Sequence, residues 1–228
     1  MYPAHSFYVE PFAGGASCFW AKKPSPRELL NDYDPDVVQA YTVLRDASAT
    51  QLQTLAGFDW RVSEDTFVQC QQPDPDPLVN TYRFIYRRRA SFGARETILA
   101  RNQVGKILPV AKHLPEQHAR LKGVKITQGD GLATIRQQDR PGVFFFVDPP
   151  WPGYFKKWEH YTMAEIHKLI DTLRQLKHAQ WLWAESPQIL EVLGQIPQGW
   201  RQQELTHIST GYGGQRKISR EVVFTNYD

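Results

Sequence analysis

A chain of 228 residues, 41% hydrophobic and 22% charged, is long enough to bury roughly 70% of the surface its unfolded form would expose, so it needs no disulfide or metal staple. Those fractions exclude a disordered chain, and no apolar run approaches the roughly 20 residues of a membrane span. The net charge of +3 conceals a segregation: from Asn80 to Lys125 eleven lysines and arginines face two acids, Glu96 and Glu116. That is the footprint of a polyanion partner, or of a solvated helix face. Met1 to Val9 lacks the basic start and apolar core of a secretory signal, and Cys18 and Cys70 make no C-x-x-C, so a reduced, cytoplasmic life is expected.

Strand and helix signals alternate from the start. Ser6–Glu10 (SFYVE) is aromatic and β-branched and stops at Pro11; Gly14-Gly15 marks a tight turn, and Ala16–Ala21 reads as a short helix. Arg27–Asn31 (RELLN) predicts a second strand ending at Asp32. A helix then opens at Pro35, with Val37, Val38, Tyr41 and Leu44 at helical spacing. Residues from about Leu52 to His118 read as mostly helical and carry the basic run. Gln71–Pro77 (QQPDPDP) cannot stay helical and is a loop or linker.

Val124–Thr127 predicts a third strand, followed by Gly129-Asp130. Gly142–Val147 (GVFFFV) is apolar throughout, as a strand buried on both faces requires, and it ends at Asp148. Met163–Leu176 predicts an amphipathic helix with Ile166, Leu169, Ile170 and Leu173 on one stripe. Gln180–Glu185 is a strand, Gln188–Leu193 a short helix, and Gln202–Ser209 with Arg220–Thr225 a closing pair about Gly211, Gly213 and Gly214. The alternation predicts an α/β fold with a mainly parallel sheet. Ligands of such sheets bind beyond the carboxyl ends of the strands, which directs attention to Glu10–Gly15, Asn31–Asp34, Gly129–Asp130, Asp148–Trp151 and Glu185–Pro187.

Asp148-Pro149-Pro150-Trp151 places an acid at the edge of a buried sheet, locks the backbone with two prolines and adds an aromatic face. That array suits a planar amine: one N–H to the Asp148 carboxylate, the other to the Pro149 carbonyl, the ring against Trp151. Gly14 and Gly15 allow a ligand close to the backbone, although G-x-G-x-x-G and the P-loop pattern are both absent. Asp32 stands where an acid holds two ribose hydroxyls, and Asp130 where a carboxylate could accept from an adenine amino group. Each is also suited to cap a helix. The histidines make no metal pattern: His160 and His167 have no third ligand near them in sequence.

In this order, E-P-F-A-G-G-A-S from Glu10, L-L-N-D-x-D from Leu29, G-D at Gly129-Asp130 and D-P-P-W at Asp148 resemble the D12, or Dam-like, class of adenine-N6 DNA methyltransferases, from Tyr8 to about Tyr227. Ser91-Phe92-Gly93 resembles an element of small members. RNA adenine methyltransferases also carry D-P-P-W, but ahead of the glycine motif. The resemblance implies a Rossmann-like sheet with an antiparallel last strand, S-adenosylmethionine as methyl donor and double-stranded DNA as partner, with no membrane and a monomer by default. It implies a catalytic domain over residues 1–50 and 119–228 with a helical, basic, DNA-binding insertion over 51–118. It implies Asp148, Pro149, Pro150 and Trp151 as the catalytic set, and Glu10, Phe12, Gly14, Gly15, Asp32 and Asp130 at the cofactor. Arg87, Arg88, Arg89, Arg95 and Arg101 would contact DNA. The alternatives are a catalytically silent nucleic-acid binder of the same fold and an RNA adenine-N6 methyltransferase. The family's K-x-x-G-G-K-like segment ahead of the first strand has no counterpart in Met1–His5, so a weak hold on the methionine half of the cofactor is expected. Tyr212–Lys217 resembles that segment superficially.

Overall fold

The computed structural model describes residues 2–92, 96–151, 161–210 and 216–228. Among them are strands β1 (Phe7–Glu10), β2 (Arg27–Asp32), β3 (Lys125–Gln128), β4 (Val143–Val147), β5 (Gln180–Glu185), β6 (Arg201–Thr210) and β7 (Arg216–Thr225). They make one sheet in the order β3-β2-β1-β4-β5-β7-β6. β1 runs parallel to β2 and β4, β4 parallel to β5, and β7 antiparallel to both β5 and β6. This is the mainly parallel α/β sheet with an antiparallel last strand that the sequence predicts. The backbone divides into two compact units, Met1–Asn31 with Gly129–Asp228, and Asp32–Gln128.

The first unit carries β4 at its centre. Its near-continuous apolar run is explained by burial on both faces. On one face Phe7, Val9, Phe145 and Val147 pack with Trp181, Trp183 and Phe224. Against them lie helix α7 (Gly131–Gln137), through Leu132 and Ile135, and helix α8 (Met163–Gln175), through the expected stripe of Ile166, Leu169, Ile170 and Leu173. Trp181 and Trp183 share that face, as period-2 alternation requires, and Trp200 meets both edge-on, with ring centroids 4.6 and 6.2 Å away. On the opposite face Tyr8 and Phe144 pack with Tyr2 and His5. Helix α1 spans Ser17–Ala21 and α9 spans Ile189–Leu193.

The second unit holds α2 (Pro35–Asp46), α3 (Ala49–Gly57), α4 (Glu64–Gln69), α5 (Pro77–Ala90) and α6 (Leu114–Leu121), together with β3. Side-chain caps set its boundaries. Asp34 accepts from the Asp36 N–H, Ser48 and Gln51 form a capping box, Ser63 accepts from Thr66, and Asp76 from Leu78 with Pro77 at the first helical position. Gln71–Pro77 is therefore a loop inside this unit, closed by the α5 cap, and not a linker between domains. Compactness groups α2 and β3 with the helices and keeps α6 whole, whereas boundaries at 50 and 119 place α2 and β3 with the sheet and cut α6. Phe58, Trp60, Tyr82 and Tyr86 form its aromatic centre. Trp60 Nε1 donates to Leu55 O at 3.1 Å and the Tyr82 hydroxyl to Asp59 O at 2.7 Å, so the buried polar tips are satisfied.

Candidate functional site

The carboxyl edge of the sheet gathers the predicted residues of the first unit. Glu10 ends β1 and is buried, its Oε1 accepting from the Tyr8 hydroxyl at 2.6 Å and from the Phe19 N–H of α1 at 2.8 Å. Burial raises its pKa to about 7; these two hydrogen bonds and Lys22 oppose the rise, and the Asp148 charge adds to it. Glu10 therefore fixes the start of α1 while contributing charge to the edge. Lys22 is itself bound to Glu28 at 2.6 Å and lies 4.2 Å over the Tyr8 ring.

The turn after β1 is left-handed twice, at Gly14 (φ 47°) and Ala16 (φ 48°). Gly14 takes that backbone without strain because it has no Cβ, and the space a Cβ would enter is open, with nothing within 4 Å. Gly15 is exposed, and a Cβ on it would meet only Ser17 Oγ at 3.9 Å. The space over this turn is open to a ligand.

Asn31, quoted in the L-L-N-D motif but given no role from sequence, staples the edge. Its Nδ2 donates to Pro11 O and Gly129 O, both at 2.9 Å, and its carbonyl accepts from the Ala13 N–H at 2.8 Å. Asp130 is exposed and caps α7, accepting from Leu132 N at 3.0 Å and Ala133 N at 3.3 Å. Its helix-capping use is therefore present, with each oxygen keeping a second lone pair for a ligand. Gly131 follows because Phe12 needs the room: a Cβ at Gly131 would lie 2.4 Å from the Phe12 ring. Gly131→Ala should therefore expel that ring at a cost of about 1 kcal/mol, at the low end for overpacking because Phe12 is half-buried and can swing outward. The denaturant midpoint checks this, and adding Phe12→Leu should restore it.

Asp148 stands beyond β4. Its side chain keeps solvent contact, yet the protein crowded around it raises its pKa to about 6, with the Glu221 charge adding to the rise. Pro149 is buried, and Pro150 and Trp151 are half-buried. The β4–β5 and β5–β7 registers, Val147 with Trp183 and Glu185 with Val222, set Glu185 and Glu221 at the same edge. Glu185 is buried: Oε1 accepts from the Ser186 N–H at 2.8 Å, while Oε2 has no hydrogen-bond partner among the described residues. Burial raises its pKa to about 7, and the Asp148 charge adds to the rise. Tyr161 is also buried, with its ring centroid 6.1 Å from that of Phe12 and its hydroxyl without a hydrogen-bond partner among the described residues.

The sequence named the strand end at Glu185 without giving that residue a role, and Tyr161 gave no signal. Trp183, two positions before Glu185, locates the edge, but only the register brings Glu185 beside Asp148. Among the described residues no group of three His, Cys, Asp or Glu side chains could hold a metal ion, and no helix is long and apolar enough to cross a membrane.

In the second unit, Asp32 closes β2, buried, and its Oδ1 accepts from the Asp34 N–H at 2.8 Å. It thereby shapes the turn into α2. The basic run is only partly open. Arg87 lies 3.3 Å from Asp36 and 3.6 Å from Glu96 and donates to Cys70 O at 2.6 Å; Arg88 lies 3.4 Å from Glu96, and Arg83 3.1 Å from Asp74. Arg87 and Arg88 thus already have carboxylate partners, unlike an array held free for phosphates. Arg89 and Arg101 are exposed. Arg95, Gly93, His160 and Tyr212–Gln215 lie outside the described residues, as do the side chains of Arg216 and Lys217.

Residues 2–97 match the family model described as D12 class N6 adenine-specific DNA methyltransferase. The match takes in the glycine turn, Asp32 and α5, and leaves Asp148–Trp151 beyond its end. No curated protein matches the chain. Among solved structures, the chain is similar to the yhhF protein of Escherichia coli at 12% identity and a TM-score of 0.42, covering 99% of this chain and 80% of that one. It is also similar to a conserved hypothetical protein of Streptococcus pyogenes at 12% identity and a TM-score of 0.39, covering 99% and 89%.

Proposed function

We propose that the chain is a site-specific DNA adenine-N6 methyltransferase that uses S-adenosylmethionine and acts on an adenine flipped out of the duplex. The observation that carries this reading is the Asp148-Pro149-Pro150-Trp151 array: a crowded but solvent-reached carboxylate, two prolines and an indole at the carboxyl end of β4. A flipped base is required because N6 cannot reach a methyl donor inside the stack. Asp148 and the Pro149 carbonyl would accept from N6 and stabilise the positive charge it gains during attack, which is electrostatic preorganisation without a covalent intermediate. Trp151 would supply a stacking face for the base.

The open space over Gly15 and the acids at the edge fit a cationic sulfonium cofactor, which supplies an activated methyl group when bound. Gly14, Gly15 and Phe12 would line it, Asp32 would hold the ribose, and Asp130 would take its adenine amino group. Glu10 would act through charge and by fixing α1. Arg89, Arg95 and Arg101 would meet phosphates.

The test incubates the chain with methyl-labelled S-adenosylmethionine and unmethylated duplex DNA of mixed sequence, with RNA of the same sequence in parallel, and digests both to nucleosides. Label in N6-methyladenine from the DNA is the expected result. Label confined to RNA or to cytosine, or DNA binding without any transfer, overturns the reading.

A further inference from the structure

Glu185 has no part in the site so far, and its surroundings are unusual for an acid. It sits on the strand next to Asp148 and is 2% exposed, and its Oε2 has no hydrogen-bond partner among the described residues. An ionised carboxylate with an orphaned buried oxygen is far costlier than a neutral acid there. Asp148, one strand away, keeps contact with water. Two neighbouring carboxyl groups in such different settings divide into an acid and a carboxylate. Tyr161 is 8% exposed, its hydroxyl also has no hydrogen-bond partner among the described residues, and Glu185 is its strongest charged neighbour. A second polar group with spare capacity therefore lies on the same side.

We propose that Glu185 reads the target base, donating its carboxyl proton to the ring nitrogen beside the amino group that Asp148 accepts from. The inference rests on the adenine-methyltransferase reading of the site. Adenine presents an amine donor next to a ring-nitrogen acceptor. A carboxylate acceptor beside a carboxylic-acid donor is its complement, and it mismatches guanine and thymine edges, where a carbonyl replaces the amine. The groups that bear on Glu185 are Asp148 just beyond β4, which raises its pKa, and its own neighbour Ser186, whose hydrogen bonds lower it; Glu185 in turn acts on Tyr161, ahead of α8. Glu221 on β7 acts on Asp148 in turn, and Asp148 on Glu10 of β1. Burial first and the Asp148 charge second outweigh the Ser186 hydrogen bonds and keep the proton on Glu185.

The sign of the pH dependence follows. Asp148, raised to about 6, must be ionised, so the rate falls as pH drops through that value. Glu185, raised to about 7, must be protonated, so the rate falls as pH climbs through that one. The wild-type profile is a bell between these limits.

The experiment compares wild type, Glu185→Ala and Glu185→Gln for kcat/KM of methyl transfer to unmethylated mixed-sequence duplex DNA between pH 5 and 9, with thermal melting and cofactor binding measured alongside. Glu185→Ala should lose about 10²-fold, as for one preorganised hydrogen bond. Glu185→Gln keeps an N–H donor and should stay within a few-fold of wild type with its alkaline limb gone, a change that a packing role would not produce. Glu185→Gln as inactive as Glu185→Ala while melting normally, or Glu185→Gln with the alkaline limb intact, overturns the proposal. If Glu185→Ala does not fold, the Glu185→Gln profile decides alone. Absence of transfer by wild type overturns the reading of the whole site, and this inference with it.

Discussion

Asp148→Ala should lower the rate of methyl transfer by about 10²–10³, the loss expected for one preorganised acceptor at a developing charge, and at neutral pH it should make the fold more stable. The second half follows from the raised pKa. A carboxyl that titrates near 6 in the folded chain and near 3.8 otherwise binds more protons folded than unfolded between those values. Wild-type stability therefore declines as pH rises from about 4 to about 6 and is flat above. The variant lacks that decline, so its advantage in melting temperature should be absent at pH 4, grow to pH 6 and stay constant thereafter. Solvent contact at Asp148 limits the size of the effect but not its sign. The crowding that makes this carboxylate a poor contributor to the fold is what preorganises it for an amine. A variant that transfers methyl groups at the wild-type rate sinks the catalytic assignment. A variant less stable than wild type at pH 7 sinks the electrostatic account.

The elements most legible in the sequence were those with one strong period or one unbroken run. β4 is five apolar residues, β5 runs from Gln180 to Glu185 as predicted, and the α8 stripe is fully buried. Helix α7 escaped notice because seven residues with Leu132 and Ile135 inside give too short a period, although Asp130 is a good N-cap. The second unit blurred into one helical stretch because its helices are short and separated by caps rather than by composition. At the site, Glu10 and Asp148 stand out in the sequence as acids ending apolar runs, and Asp130 as an acid after a glycine. Asn31, Gly131 and Glu185 do not, because their partners are set by register and by long-range contact. Asn31 meets Gly129 across 98 residues, and Gly131 is explained only by the ring of Phe12.

The basic run shows the same limit, and it separates two sets of arginines by what their loss should do. Sequence counts charges but not partners, and Asp36, which pairs with Arg87, lies 51 residues away. Glu96 is buried, holds a left-handed backbone at φ 64°, accepts from Arg88 at 3.4 Å and pairs with Arg87 at 3.6 Å. Such a conformation in a non-glycine residue persists only where its surroundings over-determine it, and here the two guanidiniums, Ser91 Oγ and Gln71 Nε2 do so. Glu96→Ala leaves the largely buried Arg87 short of a partner, and should cost about 3 kcal/mol, the low end for breaking a buried ion pair because Arg88 is partly exposed. Denaturant unfolding measures it. Arg87→Ala with Arg88→Ala should also destabilise, because it strands the Glu96 carboxylate. Arg89→Ala with Arg101→Ala should leave the unfolding midpoint alone and act on DNA instead. If both meet phosphates, the slope of log K against log salt falls by about 2 units. The opposite pattern, a stable Arg87/Arg88 variant with the reduced slope, would mean that phosphate displaces Glu96 when DNA binds.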